Sequence, residues 1–217
     1  MPLSSLDIKF YYTGDATGPS NNTLSLGGTI GSETIPDNTA NNIFDDVTGD
    51  ESASGDTEYR AIAVYADTVN SGGSYDMLNT KVWITGYDRA TSGADTIYFA
   101  LENPGGSPSS IQSIANEGVA PDADKFTVKT GETVSWTEEG SPSNTLTFGT
   151  VTSEQWFGIW LKRVVPAGAS AYNNRSCTIK VQCETTASPY KHTIEREFVV
   201  EWPSSSEGVI PVQRNIQ

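Results

Sequence analysis

Residues 41–60 read NNIFDDVTGDESASGDTEYR and carry six carboxylates, Asp45, Asp46, Asp50, Glu51, Asp56 and Glu58, against one base, Arg60. Carboxylates on a glycine-containing loop are what calcium takes, about six to eight oxygens at roughly 2.3–2.6 Å. The EF-hand frame does not fit, because Thr48 stands where an acid is required. Two readings follow. Asp45, Asp46, Asp50, Glu51 and Asp56 are the calcium candidates. In the preferred reading, the Asp and Ser side chains bond nearby backbone N–H groups and hold turns at the entrance to a strand.

Other chemistry finds less support. Glycoside hydrolysis needs two carboxyls roughly 5–9.5 Å apart, and among 27 acids such a pair arises by chance. Trp83, Trp136, Trp156, Trp160 and Trp202 are candidates for stacking on sugars, but their strand contexts favour core packing. His192 is the one histidine, it lies in a polar stretch, and no G-x-S-x-G elbow accompanies it. No phosphate-binding glycine motif is present, so no nucleotide cofactor is expected. The reading is of a non-enzyme with no cofactor and no catalytic residues.

Charge narrows the partners. The formal net charge is −14, which opposes binding to bare nucleic acid, whose phosphates are held by Lys and Arg. From Gly14 to Glu58 there are nine acids and no base, while from Leu161 onward there are seven bases and five acids. Lys162 and Arg163 close the most apolar strand and are expected to meet the acidic segment of this chain or of a neighbouring copy. No apolar run approaches the roughly 20 residues of a membrane span. MPLSSLDIKF lacks a basic and an apolar leader region, so no secretory signal is expected. Cys177 and Cys183 lie six residues apart in the alternating stretch CTIKVQC. On a strand they share a face about 20 Å apart at ~3.3 Å per residue. A disulfide needs less than about 7 Å, so two free thiols, half-buried or buried, are expected.

The elements that position these residues are strands. Alternation marks strands over 6–13, 58–66, 81–87, 95–102, 155–165, 177–185 and 196–202. KFTVK, TVSWT and TLTFG read as three shorter strands, with a hairpin around EEGSPSN. Residues 14–40 read as a long loop with at most one short strand. Thr39 or Asn41 is a candidate cap for a helical turn over 41–47. Residues 110–121 read as a short helix or an irregular crossing. QWFGIWLKRVV is the expected central strand, with CTIKVQCET beside it. The total is an all-β, antiparallel sandwich or jelly-roll-like fold of about nine or ten strands with long loops. A single domain over 1–203 is followed by an extended arm, 204–217.

SLGG (25–28), NNIFDDVTGDESASGDTEYR (41–60), KVWI (81–84), ANEGVAPDADKF (115–126) and WLKRVVPAG (160–168) occur in that order. In this combination the chain resembles a family of tailed-bacteriophage virion proteins, over roughly residues 5–185. The resemblance implies a virion structural protein assembled in the host bacterial cytoplasm. The favoured form is a capsid decoration (cement) protein, a homo-oligomer bound to the major capsid protein or other virion proteins. The alternatives are a tail or baseplate component with exposed tyrosines such as Tyr11, Tyr87 or Tyr172, and, further off, a carbohydrate-binding module. No catalytic residues come with it. Lys162, Arg163 and the arm residues Ile210, Val212 and Arg214 are the interface candidates.

Overall fold

Period-two alternation of apolar and polar side chains sets the strands, and the computed structural model shows them closing into two facing sheets. It describes residues 4–14, 20–68, 75–85, 95–107, 109–127, 136–138, 145–169, 175–185 and 193–202. The arm and its candidates Ile210, Val212 and Arg214 lie outside the described residues, as do His192, Tyr87 and Tyr172.

The strands are β1 (Ile8–Gly14), β2 (Thr29–Thr34), β3 (Thr39–Ala40), β4 (Asp56–Ala66), β5 (Met77–Thr85), β6 (Thr96–Glu102), β7 (Thr137–Glu138), β8 (Leu146–Val151), β9 (Trp156–Val165), β10 (Arg175–Thr185) and β11 (Thr193–Trp202). One short helix, α1 (Gly49–Ser54), precedes β4. The first sheet runs β2-β1-β4-β9-β6-β7 and the second β3-β11-β10-β5-β8. Every pairing is antiparallel except the short parallel one between β3 and β11. The chain is an all-β sandwich, as alternation predicted.

Between the sheets lies the main core. Ile62 and Val64 of β4, Phe157, Ile159 and Leu161 of β9, Ile179 and Val181 of β10, and Phe198, Val200 and Trp202 of β11 are all buried in it. Phe10 stacks on Phe198 with ring centroids 4.5 Å apart, joining the sheets. A second apolar layer covers the outer face of the first sheet. Ile111 and Phe126, from the irregular stretch after β6, pack there on Ala61, Ala63, Ala100, Trp156 and Trp160. That is why β4 and β9 are apolar on both faces.

Local chemistry moves several boundaries. The helical turn is not over 41–47. It starts at Thr48, whose Oγ1 accepts the Glu51 N–H at 3.3 Å while Glu51 Oε2 accepts the Thr48 N–H at 2.7 Å. This reciprocal cap outcompetes Thr39 and Asn41 because the Glu three residues on satisfies a second N–H. Loop 14–40 holds two strands, β2 and β3, and not one at most. KFTVK does not open as a strand: Ala123–Lys125 form a 3-10 turn capped by Asp122, and Phe126 turns into the second apolar layer.

Residues 139–144 of the expected hairpin lie outside the described residues; among those described, β7 pairs with β6 in one sheet and β8 with β5 in the other, and the two do not pair with each other. CTIKVQCET is likewise not beside β9. β10 pairs with β11 and β5, and β9 is central between β4 and β6. β10 alternates in burial and β9 is buried almost throughout, but neither pattern says which sheet a strand joins. No disulfide joins Cys177 and Cys183, and both are buried on the inner face of β10, as their spacing predicts.

Candidate functional site

Ionisable residues converge where the acidic end of β4 meets the basic end of β9. In the antiparallel register Glu58 stands opposite Arg163. Both face inward at the end of the core, in line with Ile62 and Leu161. Glu58 Oε2 accepts from Arg163 Nη2 at 2.5 Å. Arg163 Nη1 donates to the Asp45 backbone carbonyl at 2.8 Å, and its guanidinium lies 4.9 Å from the Phe44 ring centroid. The Asp45 carboxylate is 3.6 Å from Nη2. Two residues along β4, the fully buried Arg60 pairs through Nη2 with Glu117 Oε2 of the irregular crossing.

Burial dominates the electrostatics of Glu58. It pushes the carboxyl up to about 7; Arg163 and Arg60 pull down, and Asp45 and Glu117 push further up. Glu58 can therefore change its charge near neutrality, but its Oε2 is held by Arg163 and its side chain is closed off from solvent. The arrangement ties the acidic segment 41–58 and the crossing around Glu117 to the sheet. It offers no exposed base to a substrate.

An open groove of about 520 Å³ lies beside these ties, lined by Thr23, Leu26, Glu51, Asp56, Asn116 and Glu117 among others. Glu51, Asp56 and Glu58 each bring a carboxylate oxygen within 4.8 Å of the other two. This is the part of the molecule that could hold a cation, and it differs from the set expected. Of the five calcium candidates only Glu51 and Asp56 belong to it. Asp45 serves Arg163, and Asp50 sits exposed in the first turn of α1. Glu51 Oε2 is taken by the Thr48 cap and Glu58 Oε2 by Arg163, so the trio falls short of the oxygens calcium wants. A cap does hold this stretch, but Thr48 and Glu51 make it, while Ser52 and Ser54 donate to the Ala169 and Asp50 carbonyls and do not accept from backbone N–H groups as expected.

The interface candidates divide. Arg163 is 1% exposed and spent on its own chain's Glu58 and Asp45, so it cannot serve as a surface contact. Lys162 points to the other face, its Nζ 4.0 Å above the Tyr98 ring and 5.1 Å from Trp136, and burial lowers its pKa. Tyr11 is half-buried edge-on against Tyr65 and does not stand out as part of an exposed patch. Trp83, Trp156, Trp160 and Trp202 are buried and present no ring face to a sugar. Trp136 is half-buried between Tyr59 and Phe126.

Two further ties were not anticipated. Glu102, buried, accepts from Trp160 Nε1 at 2.8 Å and from the Gln112 N–H at 2.7 Å, which pins the crossing to the sheet. Asp95 accepts from Trp202 Nε1 at 2.7 Å and pairs with Arg175 Nε at 3.0 Å. Glu58 had a signal in the sequence: it and Arg60 occupy the same alternation phase as Ile62 and Val64, the phase that faces the core. Glu117 and Glu102 had none, since their partners are distant in sequence.

No family model and no curated protein matches the chain. Solved structures similar to it include AvmM, which catalyses macrocyclization in alchivemycin A biosynthesis (TM-score 0.32, 6% identity, covering 72% of this chain and 85% of that one). CfaE, the adhesive subunit of CFA/I fimbria of enterotoxigenic Escherichia coli, aligns with a TM-score of 0.32 at 10% identity, over 70% of this chain and 42% of that one. A family 123 glycoside hydrolase from Clostridium perfringens aligns with a TM-score of 0.27 at 14% identity, over 74% of this chain and 22% of that one. Likenesses of this size carry no argument about function.

Proposed function

We propose that this chain is a bacteriophage virion structural protein, a capsid decoration (cement) protein that binds the capsid surface and neighbouring copies. The observation that carries the reading is where the family-like blocks fall in the fold. SLGG supplies Gly27, packed against Gln112 and Trp160. NNIFDDVTGDESASGDTEYR supplies Glu58 and Arg60. ANEGVAPDADKF supplies Glu117 and Phe126, and WLKRVVPAG supplies Trp160 and Arg163. The resembling residues named here tie loops to the sandwich, and the same blocks supply Leu26, Glu51, Asp56 and Glu117 to the groove beside those ties. Such a chain is built to hold a shape and present surfaces. The partners are the major capsid protein or other virion proteins, with a homo-oligomer as the form on the particle.

A cryo-EM map of the phage particle that carries the chain tests this. Density on the head lattice is the expected result. Density at the tail alone would replace the cement role with a tail or baseplate one, and absence from particles would overturn the reading.

A further inference from the structure

One side of β11 is only partly covered. β10 pairs with it along its whole length on one side. On the other, Thr39 and Ala40 pair with Val200 and Glu201. The Val199 N–H donates to Asp37 Oδ1 at 2.8 Å and the Glu201 N–H to Asn42 Oδ1 at 3.0 Å. Backbone groups in an antiparallel pair alternate sides, so those of Glu195 and Glu197 point the same way as those of Val199 and Glu201. Among the described residues no strand pairs with that stretch of the edge. Both side chains there are exposed.

Next to this edge a cleft of about 260 Å³ opens between the sheets. Its apolar walls are Leu6, Ile8, Phe10, Ile35 and Phe198, and Leu6 is 68% exposed at the rim. Arg196 and Asp37 pair across the opening at 3.2 Å. Open backbone groups beside an apolar cleft are the two things an added strand uses, one for main-chain bonds and one for alternate side chains.

We propose that this edge and cleft seat residues 209–214 (VIPVQR) of a second copy of the chain, as an added strand. The proposal rests on the self-association assigned above and names its seat. The 15 residues after Trp202 reach about 50 Å when extended at ~3.3 Å each. They hold one apolar run, Val209-Ile210-Pro211-Val212, with Arg214 just beyond. A strand bonding through the backbones of Ile210, Val212 and Arg214 turns the missing N–H of Pro211 away from the edge, the arrangement in which proline costs no bond. Ile210, Val212 and Arg214 share one face of such a strand, so with Ile210 in the cleft Arg214 arrives on the side where Asp37, Lys9 and Arg196 line it. The chain leaves Trp202 heading away from Phe198, and Thr39–Ala40 fill the edge where a tight reversal would lie. The occupant is therefore a neighbour's arm.

Sedimentation of the full chain over a range of concentrations tests the seat, together with disulfide trapping. The expected result is a mass that rises with concentration. Leu6→Glu and, separately, Ile210→Asp each weaken this association at least tenfold; Leu6 is exposed, and circular dichroism checks that the fold is retained in both variants. Mixing a Leu6→Cys variant with an Ile210→Cys variant gives the mixed disulfide-linked dimer, because the native thiols are buried. A chain monomeric at every concentration, association untouched by both substitutions, or an intrachain disulfide in a Leu6→Cys/Ile210→Cys double variant in place of the mixed dimer would each overturn the proposal. A chain found on particles without this contact loses only the seat, and a chain that makes this contact but is absent from particles loses only the virion reading.

Discussion

Glu58 and Arg163 face each other across β4 and β9, 2.5 Å apart, with 2% and 1% of their surfaces exposed. Removing one member of such a pair leaves the other charged and unpaired in the core, which costs about 3–5 kcal/mol. Arg163→Met also deletes the bond to the Asp45 carbonyl. The variant is expected to lose about 3 kcal/mol of stability at pH 8 and less at pH 5, where Glu58 is protonated. Urea unfolding at the two pH values measures it. An equal loss at both would show that the pair's charge is not the source.

Glu58 itself gives the stability a pH dependence. Its folded value is raised from 4.5 to about 7 by burial, so the folded chain binds that proton more tightly than the unfolded one. Its contribution is fully present below about 4.5 and is lost as pH rises through about 7. At ~1.4 kcal/mol per pH unit the span is worth up to about 3 kcal/mol. Glu58→Gln is expected to remove this fall, so the wild-type and variant stabilities converge or diverge mainly between pH 4.5 and 7. Parallel curves through that window would remove Glu58 as the titrating group.

Gly27 has φ +90°, and a Cβ placed there would lie 1.9 Å from the Gln112 carbonyl oxygen and 3.0 Å from the Trp160 ring. Gly27→Ala therefore strains the backbone and forces the crossing off the sheet. A loss above ~2 kcal/mol is expected. Gly105→Ala is the control, since nothing lies within 4 Å of a Cβ there; its change should stay within ~0.5 kcal/mol. Thermal unfolding of the two variants separates them.

The Cys183 thiol is pushed up to about 12 by burial, and Cys177 is buried on the same face. Thiolate is the reactive form, so neither should label with a thiol reagent at pH 8 in the native chain. In urea both should. Rapid native labelling would show that β10 opens locally.

The sequence made strands legible wherever alternation was clean, as in β1, β10 and β11. Their partners were not legible: β10 was expected beside β9, but the chain changes sheets between them and β10 pairs with β11 and β5. In the acidic stretch the capping box at Thr48 and Glu51 could be read from spacing alone. The tie from Arg60 to Glu117 spans 57 residues, and no local pattern announces it. Side-chain burial of Glu58 followed from its phase, but its partner Arg163 followed only from the β4–β9 register.

The layer formed by Ile111, Phe126 and Trp160 on the outer face of the first sheet has a consequence for how the molecule opens. β4 and β9 lie between two apolar layers, whereas β10 and β11 carry one such layer and turn Lys180, Gln182, Glu195 and Glu197 outward on the other side. Amide hydrogens of Ala61 to Ala63 and Ile159 to Leu161 are thus exchanged with solvent only when two packed interfaces separate together. Those of β11 need only one, so the second sheet is the half of the sandwich that breathes first.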